Sequence, residues 1–594
     1  MCGIAGVMTG DGSAPSERTL DRLAQALAHR GPDGRGRHVS DNVGMVHTRL
    51  AIIDLETGDQ PILARSAPAA ASPAIIANGE IYNHLDLRRE IGEAAFATRS
   101  DCEPPLHLYL RDGVGFARRL RGMYAIAIHD PPRKRLVLAR DPFGIKPLYY
   151  AETGAGFSFA SEARALITAG LTTADLRHEA RDELLQLQFT TGAETAFRGI
   201  FRLLPGETVV VEKGRITDRR RIEALPAAGP RGMRAAEALR RLDEILNDGV
   251  AIHQRSDVPY GMFLSGGVDS SVLLAMMARL NEKPVRAFTA GFEGCLVHDE
   301  REHARKLAGI VGAKHVEVNF GEGDFWRLLP EIASVMDDPA ADYALLPTYK
   351  LAAAARENGL KVILTGEGGD EIFGGYGRYR RASRWRLFGG RPMRCAGALD
   401  GLGVLREPSE QWRDGVAAAE AAESRPGRTP LQINQAVDCD DWLPNDLLTK
   451  LDRCLMAHGV EGRVPFLDPA LAAFAFTLPD RLKVRRGIGK WLLRRWLATG
   501  LPEAKAFSRK RGFTVPVGEW IAAKGRKLGP LVAAQQGVAE VCKPDAVDKL
   551  FAAADAGGKL GKAAWTLLFY ALWHRRHILA RIPDGDVFDT LAAA

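Results

Sequence analysis

Apolar positions in the first 165 or so residues come in short runs rich in Ile and Val. MCGIAGVM, VGMVHTRLAII, AIIANGEIY, MYAIAIHD and RLVLARD are such runs, with Gly or Asp at their ends, a pattern that predicts strands. Helical periodicity appears between them in SERTLDRLAQALAHR, where Ser16 is placed to cap a helix and Thr19 and Leu20 open its amphipathic face. Many strands with few helices predict an α+β layered domain. From about 205 to 235 the chain turns rich in Pro, Gly, Arg and Ala, and LPAAGPRGMR reads as a linker. The pattern then changes. RAAEALRRLDEILNDGVAIHQR is a helix, VPYGMFLS a buried strand and VDSSVLLAMMARLN a helix, and VRAFTAGF, KHVEVNF and KVILTGEGG continue as strands alternating with helices such as REHARKLAGIVG. This alternation predicts a parallel sheet covered on both faces. Beyond about 385 the chain is mostly helical. Residues 385–430 are weakly patterned and predict a mobile excursion. There is no fixed-period repeat.

Composition narrows the reading. The 594 residues allow several domains, and 26% charged with 46% hydrophobic residues is an ordinary globular mixture. A net charge of +7 over this length is too dilute to argue for nucleic acid. The seven cysteines form no CxxC pair, which disfavours a zinc module or a disulfide scaffold. No apolar stretch approaches the ~20 residues needed to span a bilayer. The first residues lack the basic start and apolar run of a signal peptide, so a cytoplasmic setting is expected.

Cys2 is the oddest of the seven. Its small side chain permits removal of Met1, which would leave a thiol and an α-amine on one terminal residue. Such an amine titrates near ~8 and can act as base for its own thiol. HRGPDG, HTRLAIIDL, NGEIYNH and RSDCE follow at strand ends or turns and supply what a glutamine pocket needs. Arg49 can fork onto an α-carboxylate, Glu80 and Asp101 can accept from an α-ammonium, and Asn78 with the Gly79 N–H can hold an oxyanion. The segment resembles the glutaminase domain of the class II, N-terminal-nucleophile amidotransferases, as do RDPFGIKPLYY and FASEARAL further on. The resemblance implies cleavage of glutamine through a Cys2 thioester. One departure is local: Cys102 stands where such families carry threonine, followed by Pro104 and Pro105, which fit the first turn of a helix. Cys102 reads as structural.

A second site is signalled by Leu264-Ser265-Gly266-Gly267-Val268-Asp269-Ser270-Ser271, between a strand and a helix. A Gly-rich turn at a helix N-terminus offers free N–H groups to phosphate, the serines add donors, and Asp269 can hold Mg²⁺. Neither GxxxxGK[ST] nor GxGxxG is present. The string resembles the pyrophosphate loop of the ATP-pyrophosphatase superfamily. VILTGEGGDEIFGGY places five glycines and three acids after a buried strand, which suits close approach of backbone to a ligand. Asp370 is a candidate second Mg²⁺ ligand and Glu367 a base or ammonia-orienting carboxylate.

Behind a glutaminase-like segment, this pair of motifs resembles the glutamine-hydrolysing asparagine synthetases. FTAGFE, DDPAADYALLPTY, WLPNDLLTKLDRCLMAHGVEGRVPFLD and SRKRGF extend the likeness. The resemblance implies a two-domain α/β architecture. An N-terminal α+β sandwich of the N-terminal-nucleophile type is expected over 2–205, a linker over 206–235, and a doubly wound parallel sheet with a helical extension over 236–594. It implies ATP and Mg²⁺ as cofactors, with ATP on Leu264, Ser265, Gly266, Gly267, Asp269, Ser270, Ser271, Phe292 and Gly366. Asp299, Asp338 and Glu367 would border the acceptor, and Lys510 would stabilise developing phosphate charge. The arginines of GVEGRVPFLD read as a dimer or domain contact, and residues 140–150 as the lining of an apolar ammonia passage. A homodimer is expected. The expected reaction amidates aspartate through β-aspartyl-AMP. A sugar acid, polymer or peptide remains the alternative acceptor, and an idle regulatory protein a third reading.

Overall fold

The computed structural model describes residues 2–64, 72–292, 300–382, 392–508, 515–554 and 558–593. The N-terminal runs form two six-stranded antiparallel sheets. The first is ordered Phe201–Arg202, Tyr149–Thr153, Gly156–Ala160, Gly3–Thr9, Val43–Arg49, Gly34–Ser40. The second is ordered Arg215–Arg221, Glu207–Glu212, Arg135–Arg140, Gly122–Asp130, Ala74–Ile81, Ile62–Leu63. Side chains alternate across a strand, and the sequence uses both faces. Ile4, Met8, Met45, Ile76, Ala127, Leu138 and Phe159 pack between the sheets. Their neighbours Ile75, Ala77, Ile126, Ile128 and Val137 face outward onto Leu106, Tyr109 and Phe116 of the helical segment beyond. Leu20 and Leu23 of the helix Glu17–Ala26 close the other side with Ala5 and Val7.

The strands Glu207–Glu212 and Arg215–Arg221 correct the expected boundary. They complete the second sheet, so the domain runs past 205 and the connection starts after 221. Arg215–Arg221 is a solvated, charged edge strand, which is how sheet edges avoid further pairing.

The second domain is built on five parallel strands ordered Lys314–Phe320, Arg286–Phe292, Tyr260–Phe263, Val362–Leu364, Glu461–Arg463. The chain builds outward from Tyr260–Phe263 in one direction, then returns to add Val362–Leu364 on the other side. The carboxyl ends of these two strands meet at the topological switch point, where open α/β sheets bind ligands. Both Gly-rich loops leave the sheet there. The helices Trp491–Gly500, Val517–Ala533 and Lys559–His577 form the extension. The last is buried almost all round, as in a core helix, and its Trp565 and Trp573 indoles donate to Ala341 O (2.7 Å) and Met336 O (2.8 Å).

The expected mobile excursion is packed over its described part. Met393, Trp412 and Val416 cluster with Leu187 and Phe189 from the end of the first domain, and Asp414–Glu423 is helical.

A seam of buried charge joins the domains. Arg30 donates to Glu162 (2.9 Å) and bidentately to Asp452 (2.8 and 3.0 Å). Arg453 donates to Asp337 (2.6 Å), Asp452 (2.9 Å) and Tyr149 Oη (3.2 Å). Arg202 grips Asp338 with two bonds of 2.6 Å. Residues 140–150 reach the second domain through polar atoms, Lys146 Nζ to Gly462 O (3.3 Å) and Tyr149 Oη to Asp338 (2.9 Å), beside apolar side chains of the same segment. Phe143 and Ile145 lie in the hydrophobic core.

Removing one partner of a buried pair typically costs about 3–5 kcal/mol. Asp338→Ala is expected to lower the unfolding free energy of the full chain by that amount in denaturant titration. A loss within the ~1 kcal/mol of a surface pair would contradict the seam's role.

Candidate functional site

The first cluster forms where the strand Gly3–Thr9 begins beside Ala74–Ile81. The Cys2 backbone N–H donates to Asn78 Oδ1 (3.0 Å), and Arg30 Nε donates to the Cys2 carbonyl (3.2 Å). Burial pushes the Cys2 thiol up, partly offset by a hydrogen bond from the Leu50 backbone. Asn78 Nδ2 is buried without a partner among the described residues. Gly79 has φ +153, and a Cβ there would lie 2.0 Å from Met123 O, so only glycine fits. Asp101 accepts from the Ile81 N–H (2.7 Å), and the Cys102 thiol donates to Gly79 O (3.7 Å) inside an apolar cluster. Cys2, Asn78, Gly79 and Asp101 are thus brought together. Arg49 and Glu80 are differently engaged from the expectation. Arg49 Nη1 donates to Asp59 (2.8 Å) and its other arm bonds the Asp54 carbonyl. Glu80 Oε1 lies 3.2 Å from Arg463 Nη2 of the second domain. Arg463 also binds Glu461 (2.6 Å) and the carbonyls of His253 and Arg255, which makes it a contact between domains.

The second cluster lines a cavity of about 960 Å³ at the switch point. Gly267 caps the helix Val268–Leu280, and Gly266 turns the loop at φ +67. Ser265 Oγ and Ser270 Oγ lie 3.1 Å apart, and Ser270 Oγ receives the Ser265 N–H (3.2 Å). The second loop presses on the first: a Cβ on Gly369 would sit 2.6 Å from Asp269 Oδ1. Asp269 and Asp370 converge on the Lys490 ammonium, which bonds Asp269 and lies 2.7 Å from Asp370 Oδ1. Glu367 lies 4.0 Å from Lys450, which donates to Asp342 (2.8 Å). Burial raises the Glu367 carboxyl. Leu264, Ser265, Gly266, Gly267, Asp269, Ser270, Ser271, Gly366, Glu367 and Asp370 all line the cavity.

Two expected contacts lie elsewhere. Asp338 is buried in the seam; burial raises its carboxyl, but Arg202 brings it net below the usual range. The Phe292 ring packs with Phe320 and Trp520, outside the cavity lining. Asp299 and Lys510 fall outside the described residues. Sequence reading missed Lys490 and Lys450. Their signal was charge balance alone, since buried aspartates that converge need a cation.

An asparagine synthase family model matches residues 241–575, and a glutamine amidotransferase domain model matches residues 1–221. The chain belongs to the glutamine-hydrolysing asparagine synthetase family. The Bacillus subtilis asparagine synthetase [glutamine-hydrolyzing] 1 is 30% identical, with 99% of this chain and 98% of the relative covered. A Mycobacterium tuberculosis protein provisionally given the same name is 32% identical, with 97% of each chain covered. The Escherichia coli asparagine synthetase B is 28% identical, covering 88% of this chain and 83% of the relative. Family membership establishes glutamine-dependent amidation and use of ATP as the general activity. No helix among the described residues is long and apolar enough to cross a membrane.

Lys490→Met is expected to cut ATP-dependent amidation by about 100-fold or more, the scale for a lost charge stabiliser, while glutamine hydrolysis persists. Parallel loss of both activities would place Lys490 in the scaffold.

Proposed function

We propose that this synthetase converts aspartate to asparagine, drawing nitrogen from glutamine and energy from cleavage of ATP to AMP and pyrophosphate. The observation that carries the reading is the placement of two unlike sites in one buried frame. A thiol pocket of Cys2, Asn78, Gly79 and Asp101 stands on one side of the seam, and a phosphate loop with paired carboxylates on the other.

In the first pocket the Cys2 thiolate attacks the glutamine side-chain carbonyl. The oxyanion is met by Asn78 Nδ2, a buried donor without a protein partner, and by the Gly79 N–H. Ammonia leaves, and water later releases glutamate from the thioester. The positions of Arg49 and Glu80 suit a role in framing the pocket, with Arg49 tying the loop at 53–59. In the second site the β-carboxylate of aspartate attacks the α-phosphorus of ATP, and pyrophosphate departs. Ammonia then attacks the acyl carbon of β-aspartyl-AMP and AMP departs. Adenylation is needed because a free carboxylate is a poor acyl donor. Glu367, raised by burial, is suited to take the proton from the attacking nitrogen.

The donors at Asp269 and Asp370 fit Mg²⁺, which favours one or two carboxylates together with substrate phosphates. Lys490 already brings positive charge to the same oxygens. When bound, the ion would neutralise phosphate charge there.

Purified enzyme given glutamine and ATP is expected to release AMP only on addition of aspartate. Cys2→Ala is expected to lose glutamine-driven synthesis but keep synthesis from ammonium salts. AMP release that ignores aspartate would remove the acceptor assignment, and failure of ammonia to rescue Cys2→Ala would remove the division of labour.

A further inference from the structure

The cavity extends beyond the phosphate loop to a wall that the catalytic scheme leaves unused. Three separate parts of the chain build it: Arg394, just after the undescribed stretch 383–391; Trp442 and Asp446 of the helical stretch Asp438–Leu448; and Lys562 of the final long helix. Trp442 organises the wall. Its indole N–H donates to Asp446 Oδ2 (2.6 Å), and its ring carries the Arg394 guanidinium 4.8 Å from the centroid. The same guanidinium lies 5.0 Å from the centroid of the Phe189 ring. Aromatic rings hold a planar cation without neutralising its charge.

The cation and the anion do not satisfy each other. Asp446 is only 6% exposed, and its Oδ1 has no hydrogen-bond partner among the described residues. Arg394 Nη2 also lacks a hydrogen bond among the described residues; Asp438, 3.6 Å away, is already bonded by Arg378 (2.6 Å) and Tyr379, and Asp446 and Asp441 act on the guanidinium from farther off. Arg394 holds φ +49, a left-handed conformation rare for a bulky residue and often found where strain serves a site. Lys450 and Asp342, the link from this wall to Glu367, are paired with each other.

A buried carboxylate oxygen and a buried guanidinium nitrogen that both lack a hydrogen bond are costly unless a ligand completes them. We propose that Arg394 and Asp446 form the acceptor-recognition site, reading the α-carboxylate and the α-ammonium of a free acidic amino acid whose side-chain carboxylate points back toward Glu367 and the phosphate loop. The inference rests on the aspartate reading above and assigns that substrate's far end. Guanidinium-to-carboxylate bonds are forked and directional, so Arg394 selects a second carboxylate. Asp446 Oδ1 accepts from the ammonium. Burial and the neighbouring Asp342 hold the Asp446 carboxyl up at about 7, and an arriving ammonium favours its ionised form. A peptide-bound aspartate lacks both free groups, and a uronic acid lacks the ammonium.

The test uses the full chain, with pyrophosphate release followed for aspartate and with two truncated analogues as competitors. Succinate lacks the ammonium and β-alanine lacks the α-carboxylate. Loss of one charge-assisted bond corresponds to about tenfold or more in affinity. Asp446→Asn is expected to raise KM for aspartate by that factor and to leave inhibition by succinate unchanged. Arg394→Leu is expected to weaken aspartate and succinate together and to leave β-alanine unchanged. Both variants should keep the wild-type KM for ATP and the wild-type glutaminase rate, which also reports folding. Aspartate turnover by wild type with no change in aspartate KM in either variant would overturn this inference alone. Parallel weakening of ATP and aspartate would overturn it as well, by showing a scaffold role. A wild type that releases pyrophosphate with a uronic acid but not with aspartate would overturn both the inference and the acceptor assignment beneath it.

Discussion

The arrangement depends on buried guanidinium groups at the meeting of the two domains. Arg30, Arg202, Arg453 and Arg463 are all nearly inaccessible; Arg30, Arg202 and Arg463 each find a carboxylate across the seam, and Arg453, paired with Asp337 and Asp452 of its own domain, reaches across to the Tyr149 hydroxyl. A guanidinium left unpaired in such surroundings is strongly destabilising, so the domains cannot part or rotate independently at low cost. Arg463 shows what this achieves. It faces Glu80, next to the Asn78–Gly79 pair, and it sits on the strand Glu461–Arg463 that pairs with Val362–Leu364. The Thr365 N–H donates to Arg463 O (2.9 Å) at the root of the loop that carries Glu367 and Asp370. Geometry at the thiol pocket is thereby tied to geometry at the phosphate loop.

The second site follows a similar logic on a smaller scale. Acids that repel one another are drawn together by single lysines: Asp269 and Asp370 by Lys490, and Asp342 with Glu367 by Lys450. Glycines at 366 and 369 let two loops touch where any side chain would hold them apart. The result is a cavity that can meet polyphosphate on one wall and present acids to an acyl centre on another.

Local patterns made much of this legible in the sequence. Ile- and Val-rich runs marked the two sheets, the strand–helix alternation marked the parallel sheet, and the Gly-rich strings marked the switch point. What escaped was long-range. Asp338 reads as a site residue through the family likeness of DDPAADYALLPTY; only folding reveals Arg202, 136 positions earlier, as its partner. Phe292 ends a strand that leads to the site, yet its ring turns to Trp520. Lys490 is one of several cations in its segment, with Arg485, Arg486, Arg494 and Arg495 close by, and is singled out only beside Asp269, 221 positions away. The strand Arg215–Arg221 escaped for another reason. Edge strands are charged, so its composition matched a linker.

The central claim is that the seam couples a nitrogen-releasing site to a nitrogen-accepting one. Synthesis with amide-¹⁵N glutamine in the presence of excess unlabelled ammonium, read by mass spectrometry of the product, tests it most directly. The account predicts that the product keeps the glutamine nitrogen with little dilution. A product whose label matches the bulk ammonium pool would mean that ammonia passes through solvent, and would contradict it.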